Sequence, residues 1–195
     1  FPYTTLFRSK ADKKLVKVEG KQIDASQLDE LGITPDPEVE KIVAQADEIA
    51  KELGQKVVAN IDADFKRGSN PGDKPGTNRG TESSLNSMIA DATLYGVNKL
   101  TDLHADIGVM NAGGVREDLA SGEVTFAEAF AVQPFGNSLG VVEISGEKFK
   151  EALEQQWQPG GKRPFLALGL SENVQYAYDP DAKQGKRVTY VTING

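Results

Sequence analysis

Residues 105–119, ADIGVMNAGGVREDL, run an apolar segment into a loop holding an asparagine, two glycines and an arginine. Ile107, Val109 and Met110 show no alternation with polar residues, so the segment is expected to be a strand covered on both faces. Three readings of the loop compete: a plain tight turn, an anion-binding loop, or one wall of a larger pocket. Gly113 and Gly114 let backbone approach closely. Arg116 offers a planar fork for phosphate or carboxylate, and Asn111 an amide that can read a base or sugar edge. Taken singly, each residue has a plain alternative as a turn glycine or a solvated arginine.

Working downstream, TFAE (125–128) reads as a capping box, with Thr125 as cap and Glu128 three residues on. The short helix it opens is ended by VQPFGN (132–137), since proline breaks the pattern and Gly136 with Asn137 permits a turn. That turn presents Phe135, and aromatic faces at loop tips are favoured stacking platforms for bases; the plain alternative is a core phenylalanine. SLGVVEIS (138–145) is expected as a strand turned by Gly146, and EKFKEALEQQW (147–157) as a helix through Phe149, Ala152, Leu153 and Trp157. A loop with Pro159, Gly160, Gly161 and Pro164 leads into FLALGL (165–170), and NVQYAYD with KRVTYVTI reads as a hairpin.

Upstream, a helix starting near Thr81 carries Leu85, Met88, Ile89, Ala92 and Tyr95 on one face, with Thr81 or Ser83 as cap. Arg79 stands just before its N-terminus, a position suited to anions because the first N–H groups of a helix are unpaired. The preceding stretch 62–84 is rich in Gly, Pro, Asn and Asp, and loops of that length inside compact domains are often functional. KVVANI (56–61) reads as a strand. Before it, Val39, Ile42, Val43, Ala46, Ile49, Ala50 and Leu53 recur at helical spacing, with Asp36 as cap, Pro37 in the first turn and Gly54 as stop. That helix either packs on the domain or connects it to another. The alternation of helices and strands predicts an α/β to α+β domain, a mixed sheet layered with helices.

Composition narrows the function. The 195 residues hold 22 Lys plus Arg against 29 Asp plus Glu, a net charge of -7, with no basic cluster of the kind that tracks a nucleic acid polymer. There is no cysteine and only one histidine, His104. Disulfides, thiolate nucleophiles and Cys-ligated zinc are thereby removed, and a histidine-based triad or metal cluster has no members to draw on. No apolar run is long enough for a membrane span, and neither a Walker motif nor a G-x-G-x-x-G occurs. No catalytic and no metal-ligating residue is assigned. FPYTTLFRSK (1–10) leads into no recognisable pattern and reads as extraneous, residues 11–35 read as a linker or remnant of an upstream domain, and the chain as an internal piece of a longer protein.

ADIGVMNAGGVREDL, GEVTFAEAFAVQPFGNSLGVVEISGEKFKEALEQQW and ESSLNSMIADA together resemble the C-terminal domain of the 5'-nucleotidase family, which also includes UDP-sugar hydrolases and cyclic nucleotide phosphodiesterases. The resemblance runs from about residue 36 to the end. It implies a two-domain enzyme: an N-terminal metallophosphoesterase domain, absent here, that holds two divalent metals and the catalytic residues, a connector helix (36–54), and an incomplete substrate-binding domain (55–195) whose partner is a nucleotide or nucleoside phosphate ester. By position, Arg79 and Arg116 would contact phosphate or ribose; Asn111, Gly113 and Gly114 would line the pocket; Phe135, in the Pro-Phe-Gly-Asn segment with Gly136 and Asn137, would stack on the base. The family's second stacking aromatic lies beyond the hairpin, outside this chain. Ser84-Leu85-Asn86-Ser87 departs from the family's usual Asn-Leu-Gly-Asn. Family resemblance also implies a secreted or wall-associated bacterial protein, and no cofactor bound by this piece, which alone is expected to be inactive. A non-catalytic ligand-binding or adhesion module of the same fold is the alternative. The pocket reading requires Arg116 and Phe135 to face one cavity.

Overall fold

The structure, a computed structural model, describes residues 3–9, 15–160 and 163–195. Residues 1, 2 and 10 of the stretch read as extraneous, residues 11–14 of the next stretch, and Gly161 lie outside the described residues. The chain falls into two compact units, 1–51 and 52–195. In the first, β1 (Tyr3–Ser9) pairs antiparallel with β2 (Leu15–Gln22). α1 (Pro37–Gly54) follows, its start fixed by Asp36, whose Oδ1 accepts the Glu38 N–H at 2.8 Å and the Val39 N–H at 3.4 Å. No residue of α1 is buried, its apolar stripe included.

The second unit is built of β3 (Val57–Ile61), α2 (Ser84–Leu100), β4 (Val109–Asn111), β5 (Gly122–Thr125), α3 (Phe126–Val132), α4 (Gly146–Glu154), β6 (Leu168–Leu170), β7 (Val174–Tyr178) and β8 (Val188–Ile193). Helices and strands mix as the α+β reading requires, but the sheet is not one mixed sheet. Among the described residues the strands form antiparallel pairs only: β3 with β5, β4 with β6, β7 with β8, besides β1 with β2.

Two expectations about strands change. The run before the glycine loop is a strand only over Val109–Asn111, and Val109 is 43% exposed while Met110 is buried, so one face is open. The ladder ends at the next pair: Ser171 N–H still donates to the Gly108 carbonyl at 3.0 Å, but Gly108 N–H donates to Ser171 Oγ at 2.9 Å in place of the Ser171 carbonyl. SLGVVEIS forms no strand at all. It is rich in apolar residues, yet it joins no ladder with any described strand, and Leu139, Val142 and Ile144 stay exposed.

Two cores hold this unit. Leu85, Ala90, Met110, Val115, Leu119, Val124 and Val132 form one; Phe149, Leu153, Leu170, Val174 and Val188 form the other. Leu85 and Leu153 are fully buried, and burial of each such side chain contributes on the order of 1.5–3 kcal/mol. α2 packs against both β4 and β6, and glycines set the approach. A Cβ on Gly108 would collide with the Ala90 carbonyl, and one on Gly169 with the backbone of Asn86, so α2 lies closer than any side chain there allows.

Candidate functional site

The loop after β4 is a short 3-10 turn over Ala112–Gly114 held at both ends. Val115 anchors it in the first core, and Arg116 N–H donates to the Val132 carbonyl at 2.8 Å, fastening the turn to the end of α3. Neither glycine needs a left-handed backbone; both are needed for space. A Cβ on Gly114 would run into Met110 Cε and sit 3.0 Å from Asn111 Oδ1. One on Gly113 would sit 3.3 Å from Asn111 Nδ2 and 3.4 Å from Arg79 Nη1. The turn is therefore where Asn111 and Arg79 come together.

The long stretch 62–83 is tied down along its length. Lys66 N–H donates to Ser84 Oγ, the Lys66 carbonyl accepts from Ser83 Oγ at 2.8 Å, and Asn78 N–H reaches the Gly68 carbonyl at 3.2 Å. Ser83 caps α2 by accepting the Asn86 N–H. That end of the helix is already satisfied, and Arg79 lies further back. Ala167 N–H donates to the Arg79 carbonyl at 2.8 Å, fixing Arg79 against the segment entering β6.

Four arginines gather here. Arg67 is committed: its backbone N–H and its Nε both donate to Asp118 Oδ1 at 2.9 Å, and its Nη1 donates to the Arg116 carbonyl. Arg116 reaches the Gly113 carbonyl with Nη1 at 3.3 Å. Among the described residues no carboxylate lies within ion-pair distance of Arg79, Arg116 or Arg163. Arg79 feels the crowding: burial, then the guanidiniums of Arg163, Arg116 and Arg67, hold its pKa below the usual arginine value. It remains a cation at neutral pH all the same. Among the described residues only Arg67 of the four has carboxylates in ion-pair range, Asp118 and Glu117, and the surplus of like charge leaves a place where an anion is favoured.

Two clefts flank Arg79. One is lined by Arg67, Gly68, Gly76, Thr81, Asn86, Ala112, Val115 and Arg116 besides Arg79. The other, of about 440 Å³, runs from Asn111 and Gly113 to the end of α4 and the segment 163–168. Neither is lined by an acidic residue, in a chain of net charge -7.

Of the residues singled out from sequence, Arg79, Asn111, Gly113 and Arg116 thus meet around the two clefts, with Gly114 packed beneath the turn. Phe135, Gly136 and Asn137 line neither, so Arg116 and Phe135 do not share the one cavity that the sequence reading requires of them. Phe135 is 46% exposed, and its link to Arg116 is through the backbone: Val132 accepts from Arg116, and Phe135 N–H turns back to the Gln133 carbonyl at 2.8 Å. Sequence reading passed over Arg163, Gln155 and Gln158, which lie in the larger cleft. The run QQWQPGGKR (155–163) had the signal, a polar, glutamine-rich break just after an amphipathic helix. His104 is exposed, and among the described residues no group of three or more His, Cys, Asp or Glu gathers as a metal would require. No described helix is long and apolar enough to cross a membrane.

Comparison with known proteins gives a family model, the 5'-nucleotidase C-terminal domain, matching residues 57–195. A probable 5'-nucleotidase of Treponema pallidum is 27% identical over 97% of this chain. A cell wall protein of Listeria monocytogenes, Lmo0130, is 34% identical over 64%. The chain spans 33% of the first relative and 16% of the second. Among solved structures, the 5'-nucleotidase precursor of Thermus thermophilus matches 96% of the chain with a TM-score of 0.60 at 25% identity, and the match covers 34% of that protein.

Proposed function

The chain belongs to the 5'-nucleotidase C-terminal domain family, and on that premise we propose that it is the substrate-binding part of a metal-dependent nucleotide phosphohydrolase. The observation that carries this reading is the pair of arginines with no acid in ion-pair range among the described residues, around the Gly113 turn: Arg79 and Arg116 face acid-free clefts, with the Asn111 amide beside Arg79. Guanidinium forks match phosphate oxygens in pairs, and an amide distinguishes base or ribose edges. The chain's task is then to bind and orient a nucleoside phosphate. Two divalent metals in an N-terminal metallophosphoesterase domain of the same polypeptide would supply Lewis-acid chemistry at the ester. The relatives support a longer protein, since this chain spans a third or less of the two described. The Listeria relative's name supports a place outside the cell or at its wall.

Calorimetric titration of this chain with adenosine 5'-monophosphate tests the assignment. Saturable binding is expected, and Arg116→Ala should weaken it roughly 10–100-fold, the effect of losing a charge-assisted contact to phosphate. The chain alone, with Mn or Zn added, should release no phosphate. Binding that Arg116→Ala leaves untouched would remove Arg116 from the site. Turnover by the chain alone would overturn the division of labour.

A further inference from the structure

We propose that Arg163, together with the side-chain amides of Gln155 and Gln158, forms a second phosphoryl subsite, separated from the Arg116 cleft by Arg79, so that the preferred ligand carries two phosphoryl groups. The assignment to a nucleotide rests on the function proposed above; the subsite itself rests on geometry. Arg79 lines both clefts, Arg116 only the smaller and Arg163 only the larger. Each cleft therefore has its own cation and shares one, and no acidic residue lines either.

The walls of the larger cleft are tied together by hydrogen bonds. Gln156, though it lines the cleft, is spent on structure: its Oε1 accepts the Leu168 N–H at 2.8 Å, and its Nε2 donates to the Leu153 carbonyl at 3.0 Å and to Tyr176 Oη at 3.2 Å. The side chains of Gln155 and Gln158 make no hydrogen bond among the described residues and stand exposed at the same cleft. The segment carrying Arg163 is clamped to the end of α4. Gln158 N–H donates to the Pro164 carbonyl at 2.7 Å, Leu166 N–H to the Gln156 carbonyl at 3.0 Å, and the rings of Trp157 and Phe165 lie 4.7 Å apart. Arg163 is thus an exposed cation delivered by a fixed element to an acid-free cleft, beside another cation. A single phosphate satisfies one such cleft; two phosphoryl groups satisfy both.

The test compares adenosine 5'-monophosphate with adenosine 5'-diphosphate and adenosine 3',5'-bisphosphate as ligands of the intact chain, by calorimetry at low salt. At least one of the doubly phosphorylated ligands should bind about tenfold tighter than the monophosphate. Arg163→Gln should reduce that ratio to near one, lowering affinity for the doubly phosphorylated ligand far more than for the monophosphate. Because Arg163 is exposed, the variant should fold as the parent does, with an unchanged circular dichroism spectrum. Saturable binding of all three ligands with equal affinity, or a preference that survives Arg163→Gln, overturns the subsite. A parallel titration with inorganic pyrophosphate against phosphate separates the two ideas. Pyrophosphate binding that depends on Arg163 in a chain blind to every adenosine ligand would keep the subsite and end the nucleotide reading.

Discussion

At residue 113 the absence of a side chain is what lets Asn111 and Arg79 share a corner, and the same turn carries Arg116 to its cleft. Phe135 is the contrasting case. Its ring is free enough to serve as a stacking face, but it lines neither cleft, so a base resting on it would lie outside both. If it stacks as the family resemblance implies, Phe135→Ala should weaken adenosine 5'-monophosphate binding about fivefold or more, because stacking a base on an aromatic ring contributes ~1–3 kcal/mol. Its affinity for inorganic phosphate should not change. An unaltered nucleotide affinity in the same titration would take Phe135 out of the site. The glycines, Asn111 and Arg116 were legible in sequence because a short loop brings them together whatever the rest of the chain does. Phe135 was not, since its facing Arg116 depends on how the end of α3 is set.

Among the elements, α3 shows local code acting as written. Thr125 Oγ1 accepts the Glu128 N–H at 3.3 Å, and the Glu128 carboxylate accepts both the Thr125 N–H and its hydroxyl at 2.8 Å. The Thr125 backbone and then its hydroxyl hold the Glu128 pKa below the ordinary glutamate value. A carboxylate whose pKa is lowered by folding stabilises the fold above its unfolded pKa, and that contribution disappears as pH falls through the folded value. Asp64, lowered first by the Ser121 N–H and then by Lys66, acts in the same direction. Thermal melts should therefore show stability falling on the acid side, below about pH 4. Glu128→Gln should flatten that slope, while Thr125→Ala should cost about 1 kcal/mol at neutral pH. A slope identical in Glu128→Gln would show that other carboxylates carry it. Strands were read less well than helices. A helix satisfies its own backbone, whereas a strand at SLGVVEIS needs a ladder partner, and it forms no ladder among the described residues.

Over the second unit as a whole, polar and apolar surfaces are unevenly placed. Val57 and Val58 of β3 stay about half-exposed, and Phe126 and Phe130 of α3, stacked with centroids 6.2 Å apart, are exposed too. The two groups are neighbours through the β3–β5 ladder and the Phe126 N–H bond to the Lys56 carbonyl. Exposed apolar area of this kind favours association. The native chain should bind a hydrophobic dye and self-associate as its concentration rises, and a Phe126→Ser, Phe130→Ser double variant should do both less. A parent chain that stays dark to the dye and monomeric would show the surface to be inert. The sequence by itself determined that the helices exist, the Asp36 and Thr125 caps, the hairpin and the glycine loop, because each is decided by residues a few positions apart. The structure chose Ser83 over Thr81 as the cap of α2, added Ser145 as the cap of α4 and ended that helix at Glu154. It also determined the family, through several short motifs read together. Only the tertiary structure decided that the strands pair antiparallel in separate ladders and that Arg163 faces the same cleft as Arg79 across more than eighty residues of chain. Such pairings follow from which surfaces the two cores bring together, and no local spacing encodes them.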